Sequence, residues 1–242
     1  MISRPSPNHD ARTLPVSILV LHYTGMESGQ AALDRLTDPD AKVSAHYLIE
    51  EDGRIFQLVE EDRRAWHAGV SQWRGITNVN SASVGVEIVN GGHNVPQSDG
   101  SLPPYPDVQI NALIPLCKDI IARHSIKPQD VVGHSDIAPS RKEDPGEHFP
   151  WAGLAAAGIG LWPGQGSGDR RTLFERGDRD RGVSILQFGL AQIGYNLVVS
   201  GVLDDETIDV VRAFQRRFRP ETVSGIVDVD TFGLVADVTR LV

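Results

Sequence analysis

A single cysteine, Cys117, stands among 242 residues, so no intramolecular disulfide framework can brace the chain. It lies in the apolar run Leu113–Cys117, where a small buried hydrophobe is the expected role, and nothing nearby would lower its pKa toward that of a nucleophile. There is no dense Lys/Arg block, and the formal net charge is −9. Nucleic acid and anionic membrane surfaces, both gripped mainly through cationic patches, are therefore disfavoured as partners. No apolar stretch approaches the length of a membrane span. Met1–Asn8 has neither an apolar signal core nor a cleavage site, so the chain reads as cytoplasmic, or as a periplasmic or envelope protein whose export signal is missing from this version. What is present is ordinary globular material: 40% hydrophobic and 23% charged residues, enough for a core in one or two domains.

Local patterns place the elements. Ser17–Leu21 is a β-branched, apolar run that ends on the polar cluster His22-Tyr23-Thr24, which predicts a buried strand. Ser44–Ile49 and Arg54–Val59 flank Glu51-Asp52-Gly53, a hairpin signal. Along Ser83–Val89, Val84, Val86 and Ile88 fall on one face and Gly85, Glu87 and Val89 on the other. Asp107–His124 carries apolar residues at helical spacing, with Pro115 expected to kink it. Val131–His134 predicts another short strand. The fold class is α/β: a central, mostly antiparallel or mixed sheet flanked by helices, then a small C-terminal three-helix bundle. Breaker-rich sequence at 160–172 is expected to link a first domain, 1–159, to a second, 173–242. Within the second, Gly201–Thr207 repeats as Gly225–Thr231 at an offset of 24. Each copy introduces a helix, so its Asp and Thr residues are N-caps and first-turn acids rather than an EF-hand-like calcium loop, whose glycine and terminal glutamate are missing.

Eight histidines are candidates for chemistry. His9 and His93 sit in polar segments and are expected to be solvated, His124 closes the long helix, and His148 lies in a Pro/Gly-rich loop with its role open. His22 and His134 stand at the C-terminal ends of expected strands, where α/β sheets usually build sites. Asp144 follows His134 by ten residues. Two imidazoles and a carboxylate leave zinc a net positive charge and an open position. A His and an Asp ten residues apart also arise by chance, so spacing leaves both readings standing.

The motifs in order decide more. Leu21-His22-Tyr23-Thr24, Ser44–Ile49, Ala65–Gly69, Val84–Asn90, Gly133–Pro139 and Arg141–Gly146 together resemble the N-acetylmuramoyl-L-alanine amidases of the AmpD/AmiD type, a fold shared with peptidoglycan recognition proteins. The likeness covers roughly residues 10–165. Leu186-Gln187, Gly194-Tyr195, the Gly-Val/Ile-x-Asp repeat and Phe214-Gln215 make the tail resemble a three-helix peptidoglycan-binding module, loosely so around 216–224.

This resemblance implies one Zn²⁺ per chain held by His22, His134 and Asp144, with Glu87 as the catalytic acid/base and Lys142 stabilising the oxyanion. It implies peptidoglycan or muropeptides as partners and hydrolysis of the amide between N-acetylmuramic acid, or its anhydro form, and L-alanine. Tyr23, His46, Trp66, His67 and Asn90 are candidates for the substrate wall, with His46 equally readable as a satisfied core histidine. Two rivals stand beside this reading. One is a peptidoglycan-recognition protein that binds without cutting, although such proteins commonly lack zinc ligands. The other is a recycling amidase restricted to soluble anhydro-muropeptides, for which a polymer-binding tail would have no use.

Overall fold

The computed structural model describes residues 1–242. Its N-terminal part contains β1 (Ile2–Ser3), β2 (His9–Ala11), β3 (Ile18–Tyr23), α1 (Gly29–Thr37), β4 (Tyr47–Ile49), β5 (Ile55–Gln57) and β6 (Arg63–Ala65). Next come α2 (Val79–Ala82), β7 (Ser83–Ile88), α3 (Asp107–His124), β8 (Val131–Gly133), α4 (His134–Ile137) and α5 (Trp151–Ala156). The C-terminal part consists of β9 (Thr172–Phe174), α6 (Arg181–Ile193), α7 (Asp205–Phe218), β10 (Val227–Asp228) and α8 (Val229–Thr239).

Six strands form one mixed sheet in the order β1-β5-β4-β7-β3-β8. Only the β4–β5 hairpin is antiparallel; every other pair is parallel, so the sheet is mixed rather than mostly antiparallel. The hairpin turns where Asp-Gly stands, and Gly53 there adopts φ +83°, a region that penalises any Cβ. Its strands are shorter than the sequence pattern suggested: β4 begins at Tyr47, because Ser44 and His46 bond to the backbone of Trp66 and Gly85 outside a regular ladder.

Alternation along β3 and β7 sorts the core. Leu19, Leu21, Val84, Val86 and Ile88 pack against Leu113, Leu116, Cys117 and Ile120 of α3, all of them at most 5% exposed. Each such aliphatic side chain contributes about 1.5–3 kcal/mol through burial. α3 runs without a break from Asp107 to His124 with Pro115 inside it. The opposite face of β3, Ile18 and Val20, belongs to a cluster that continues into the tail through Val183, Leu186, Leu190, Tyr195, Phe214 and Phe218.

The internal repeat is structural. Asp204 accepts from Thr207 N–H at 2.9 Å and Asp228 from Thr231 N–H at 2.8 Å, each as an N-cap. Gln187 and Gln215 repeat one motif as well. Each Oε1 accepts two N–H groups of the following loop, and each Nε2 donates to a carbonyl and to the Thr hydroxyl of the next cap. The loops are therefore pinned by hydrogen bonds, with no ion needed.

Candidate active site

β3 and β7 run parallel with His22 directly opposite Glu87. Residues in register on neighbouring strands point to the same face, so imidazole and carboxyl leave the sheet together. On the other side of β3, β8 pairs Gly133 with Leu21, which brings the next residue, His134, out beside His22 as the first residue of α4. Asp144 returns on the following loop, fixed where Ser135 N–H donates to the Asp144 carbonyl at 2.9 Å. Gly133 permits this approach: a Cβ there would lie 2.7 Å from the Pro145 ring.

His22 Nδ1, His134 Nδ1 and Asp144 Oδ2 form a triangle with edges of 3.0, 2.9 and 3.0 Å, and their residues are 1%, 3% and 6% exposed. Contacts on the far sides of the rings decide where the protons sit. His134 Nε2 lies 3.1 Å from the Ala68 carbonyl, which can only accept, so the proton is on Nε2 and the Nδ1 lone pair faces the triangle. Behind His22 the logic takes three steps. Ser83 O–H donates to the Val79 carbonyl at 2.6 Å, so Ser83 Oγ accepts from His67 Nε2–H at 3.2 Å. His67 Nδ1 is then an acceptor, receiving His22 Nε2–H at 3.0 Å and leaving the His22 Nδ1 lone pair free to face inward. Gly85 is needed for this relay, since a Cβ there would meet the His67 ring at 2.5 Å.

Three converging acceptors with no donor among them are a poor hydrogen-bond cluster and a good cation site. A tetrahedral divalent ion with bonds of about 2.0–2.1 Å spaces its ligands by about 3.3 Å, within a few tenths of an ångström of these edges. The protonation states agree. Burial, with the neighbouring His134 next, pushes His22 down to about 4, so it is neutral at pH 7. The residues fit a metal such as zinc.

These groups open on a cavity of about 210 Å³ whose wall includes Tyr23, Trp66, Glu87 and Lys142. Glu87 Oε2 is shut off from solvent and has no hydrogen-bond partner. Burial, then repulsion from Asp144, drives its pKa well above the usual value, with the Lys142 charge opposing. Trp66 Nε1 is likewise without a partner. Tyr23 O–H lies 3.0 Å from His93 Nδ1, and its ring lies over Gly92, where a Cβ would collide at 2.4 Å.

The remaining candidates are committed to other contacts. His67 touches the cavity, yet both of its ring nitrogens are committed to the relay behind His22. His46 is outside it, wholly buried between Arg12, the Arg63 carbonyl and Gly85 N–H, and burial followed by the Arg12 charge pushes it down to about 3. Asn90 is also outside: it donates to the Pro103 carbonyl and accepts from Gly92 N–H and His148, tying loops together. His93 is not solvated as expected; it is half-buried between Tyr23 and Glu147. His124 pairs with Glu61 at 2.5 Å, and His148 stacks on Tyr105 with ring centroids 4.9 Å apart. Sequence reading passed over Arg216, Glu143 and Glu147, which form an ion-pair group flanking Asp144 along the chain. A pair of arginines on a helix gives no local sign of what it faces.

Comparison with known proteins places this geometry. A sequence profile for N-acetylmuramoyl-L-alanine amidase matches residues 12–147, and a peptidoglycan binding domain profile matches residues 179–234. N-acetylmuramoyl-L-alanine amidase AmiD of Escherichia coli K12 is 42% identical over 227 residues, covering 89% of this chain and 79% of that protein. 1,6-anhydro-N-acetylmuramyl-L-alanine amidase AmpD of Enterobacter cloacae is 35% identical over 167 residues, covering 61% of this chain and 84% of AmpD. The structure of E. coli AmiD in complex with the substrate anhydro-N-acetylmuramic acid-L-Ala-D-gamma-Glu-L-Lys superposes with a TM-score of 0.81 at 38% identity, covering 96% of this chain and 92% of that one. AmpDh3 of Pseudomonas aeruginosa, in complex with anhydromuramic pentapeptide, gives a TM-score of 0.75 at 36% identity, covering 93% and 92%. With a profile spanning more than half its length and a relative 42% identical of which it covers 79%, the chain belongs to the N-acetylmuramoyl-L-alanine amidase family.

Proposed function

We propose that this chain hydrolyses the amide joining N-acetylmuramic acid, or its anhydro form, to the L-alanine of a peptidoglycan stem peptide, with one Zn²⁺ held by His22, His134 and Asp144. The observation that carries this reading is the triangle of three inward lone pairs beside a carboxyl oxygen that has no partner. When bound, zinc supplies Lewis acidity that polarises the carbonyl and acidifies water. Glu87, whose residue lines the same cavity, takes the proton from the attacking water on its carboxylate and returns it to the departing amide nitrogen, as its place opposite His22 allows. Lys142, on the wall of the same cavity, offers its ammonium to the carbonyl oxygen as negative charge builds there. Tyr23 and Trp66 form the polar–aromatic wall against which sugar or peptide rests.

Residues 1–159 act as the catalytic part, 160–172 as the connector and 173–242 as a peptidoglycan-binding part that raises the local concentration of substrate. The test is mass spectrometry of products from intact sacculi and from anhydro-muropeptides, with and without a chelator. Release of free stem peptide that stops on chelation supports the reading. Binding without peptide release would leave a recognition protein, and cleavage confined to soluble fragments would leave a recycling amidase.

A further inference from the structure

Two adjacent arginines near the end of α7 are turned inward, with Arg216 7% and Arg217 4% exposed. Both make their ion pairs outside the tail. Arg217 Nη1 donates to Asp136 Oδ2 at 2.8 Å and Nη2 to the Val131 carbonyl at 2.9 Å, while its guanidinium lies 4.2 Å over the Trp151 ring. Tyr195 O–H donates to the other oxygen of Asp136 at 2.7 Å. Asp136 stands two residues after His134 and also accepts Gly133 N–H at 2.8 Å, so tail side chains hold the turn that delivers His134.

Arg216 holds the second delivery loop. Its Nη2 donates to Glu143 Oε1 at 3.0 Å and its Nε to Glu147 Oε2 at 3.3 Å, bracketing Asp144 from both sides along the chain. Glu147 in turn meets His93 Nε2, and His93 Nδ1 meets Tyr23 O–H on the cavity wall. A fork of donors spanning two carboxylates fixes their separation in a way a single ammonium does not. Around this group the apolar cluster runs continuously from the sheet into the tail, and Arg74 N–H and Nη1 donate to the carbonyls of Gly194 and Ile193 at 2.9 Å each.

We propose that the helical tail is a built-in buttress of the active site, in which Arg216 is a positioning residue for the loop that carries Lys142 and Asp144. This rests on the function proposed above. Its consequence separates it from a mere anchor: hydrolysis of a small soluble substrate depends on α7, as hydrolysis of the polymer does. An anchor acts only by concentrating enzyme on polymer and leaves turnover of small fragments untouched.

The test uses the full chain with Arg216→Met, which keeps an apolar stem and removes the fork, Arg216→Lys, and Glu147→Gln, which cuts the same bridge from the catalytic side. Backbone hydrogen exchange across 140–149 is measured in the metal-free protein. Zinc affinity is measured by chelator competition, and kcat and KM on a soluble anhydro-muropeptide. Arg216→Met is expected to speed exchange across 140–149 and to weaken zinc and lower kcat by about tenfold, the lower end for outer partners of metal ligands. KM should change little, and Arg216→Lys should recover part of the loss. Glu147→Gln should reproduce the faster exchange even if Arg216→Met unfolds. Unchanged exchange in 140–149, or a loss confined to polymer digestion, overturns the proposal. Exchange is read without turnover, so an unmodified chain that releases no peptide would sink the amidase reading while the buttress is still judged on exchange alone.

Discussion

Glu87→Gln separates chemistry from architecture at this site. The substitution preserves shape, and because Glu87 Oε2 has no hydrogen-bond partner, exchanging it for an amide breaks no bond there. Stability should therefore move by less than about 1 kcal/mol, or about 2–4 °C in melting temperature for a chain of this size. Zinc should stay at one per chain, since the triangle of His22, His134 and Asp144 is intact. Turnover should fall by about 10²–10⁴-fold, the usual contribution of a positioned acid/base, which corresponds to about 2.7–5.4 kcal/mol of transition-state free energy. The assay pairs product mass spectrometry on a soluble anhydro-muropeptide with elemental analysis of the purified protein. Activity within about threefold of the unmodified chain would remove Glu87 from the proton transfers. Zinc lost in proportion to activity would make it a support of the metal instead.

His134→Ala should strip zinc from the protein on dialysis, and full metal content in that variant would refute the ligand set. His67→Phe keeps the ring but removes the acceptor for His22 Nε2–H, so zinc affinity should weaken by about 10–100-fold; an unchanged dissociation constant in chelator competition would mean that the relay does not orient His22. Far from the site, burial raises the Glu61 carboxyl, but hydrogen bonds from Arg123, Tyr47 and His124 outweigh it and hold the group at about 2. A depressed carboxylate stabilises the fold above its unfolded value of about 4.5, and that stability is lost as pH falls toward 2. Glu61→Gln should thus cost about 1.5–3 kcal/mol in urea unfolding at pH 7 and progressively less below pH 4.5; an equal cost at both would refute the ionic reading.

Much of this protein was legible in the chain before any contact was known. The 3.6-residue spacing of Leu113, Leu116, Cys117 and Ile120 describes α3 because an amphipathic helix must present one face to a core. Alternation in Ser83–Ile88 set Val84, Val86 and Ile88 against that helix. Asp204 and Asp228 announced the starts of α7 and α8 because orphan N–H groups at a helix start need an acceptor. These are local constraints, and local sequence carries them. Strand pairing is different. His22, His46 and His67 carry similar local signals; the register of β3 with β7 and β8 turns the first toward His134, while contacts with distant residues bury the second beside Arg12 and set the third behind the first. A hydrogen bond between residues dozens of positions apart leaves no mark in either segment. For the same reason Arg216 and Arg217 read as ordinary helix charges until the packing of α7 on α4 put Asp136, Glu143 and Glu147 in front of them. Sequence by itself determined the elements and the residues able to hold a metal. Tertiary structure decided which rings face inward, where their protons lie, and that tail side chains brace the turns that deliver His134 and Asp144.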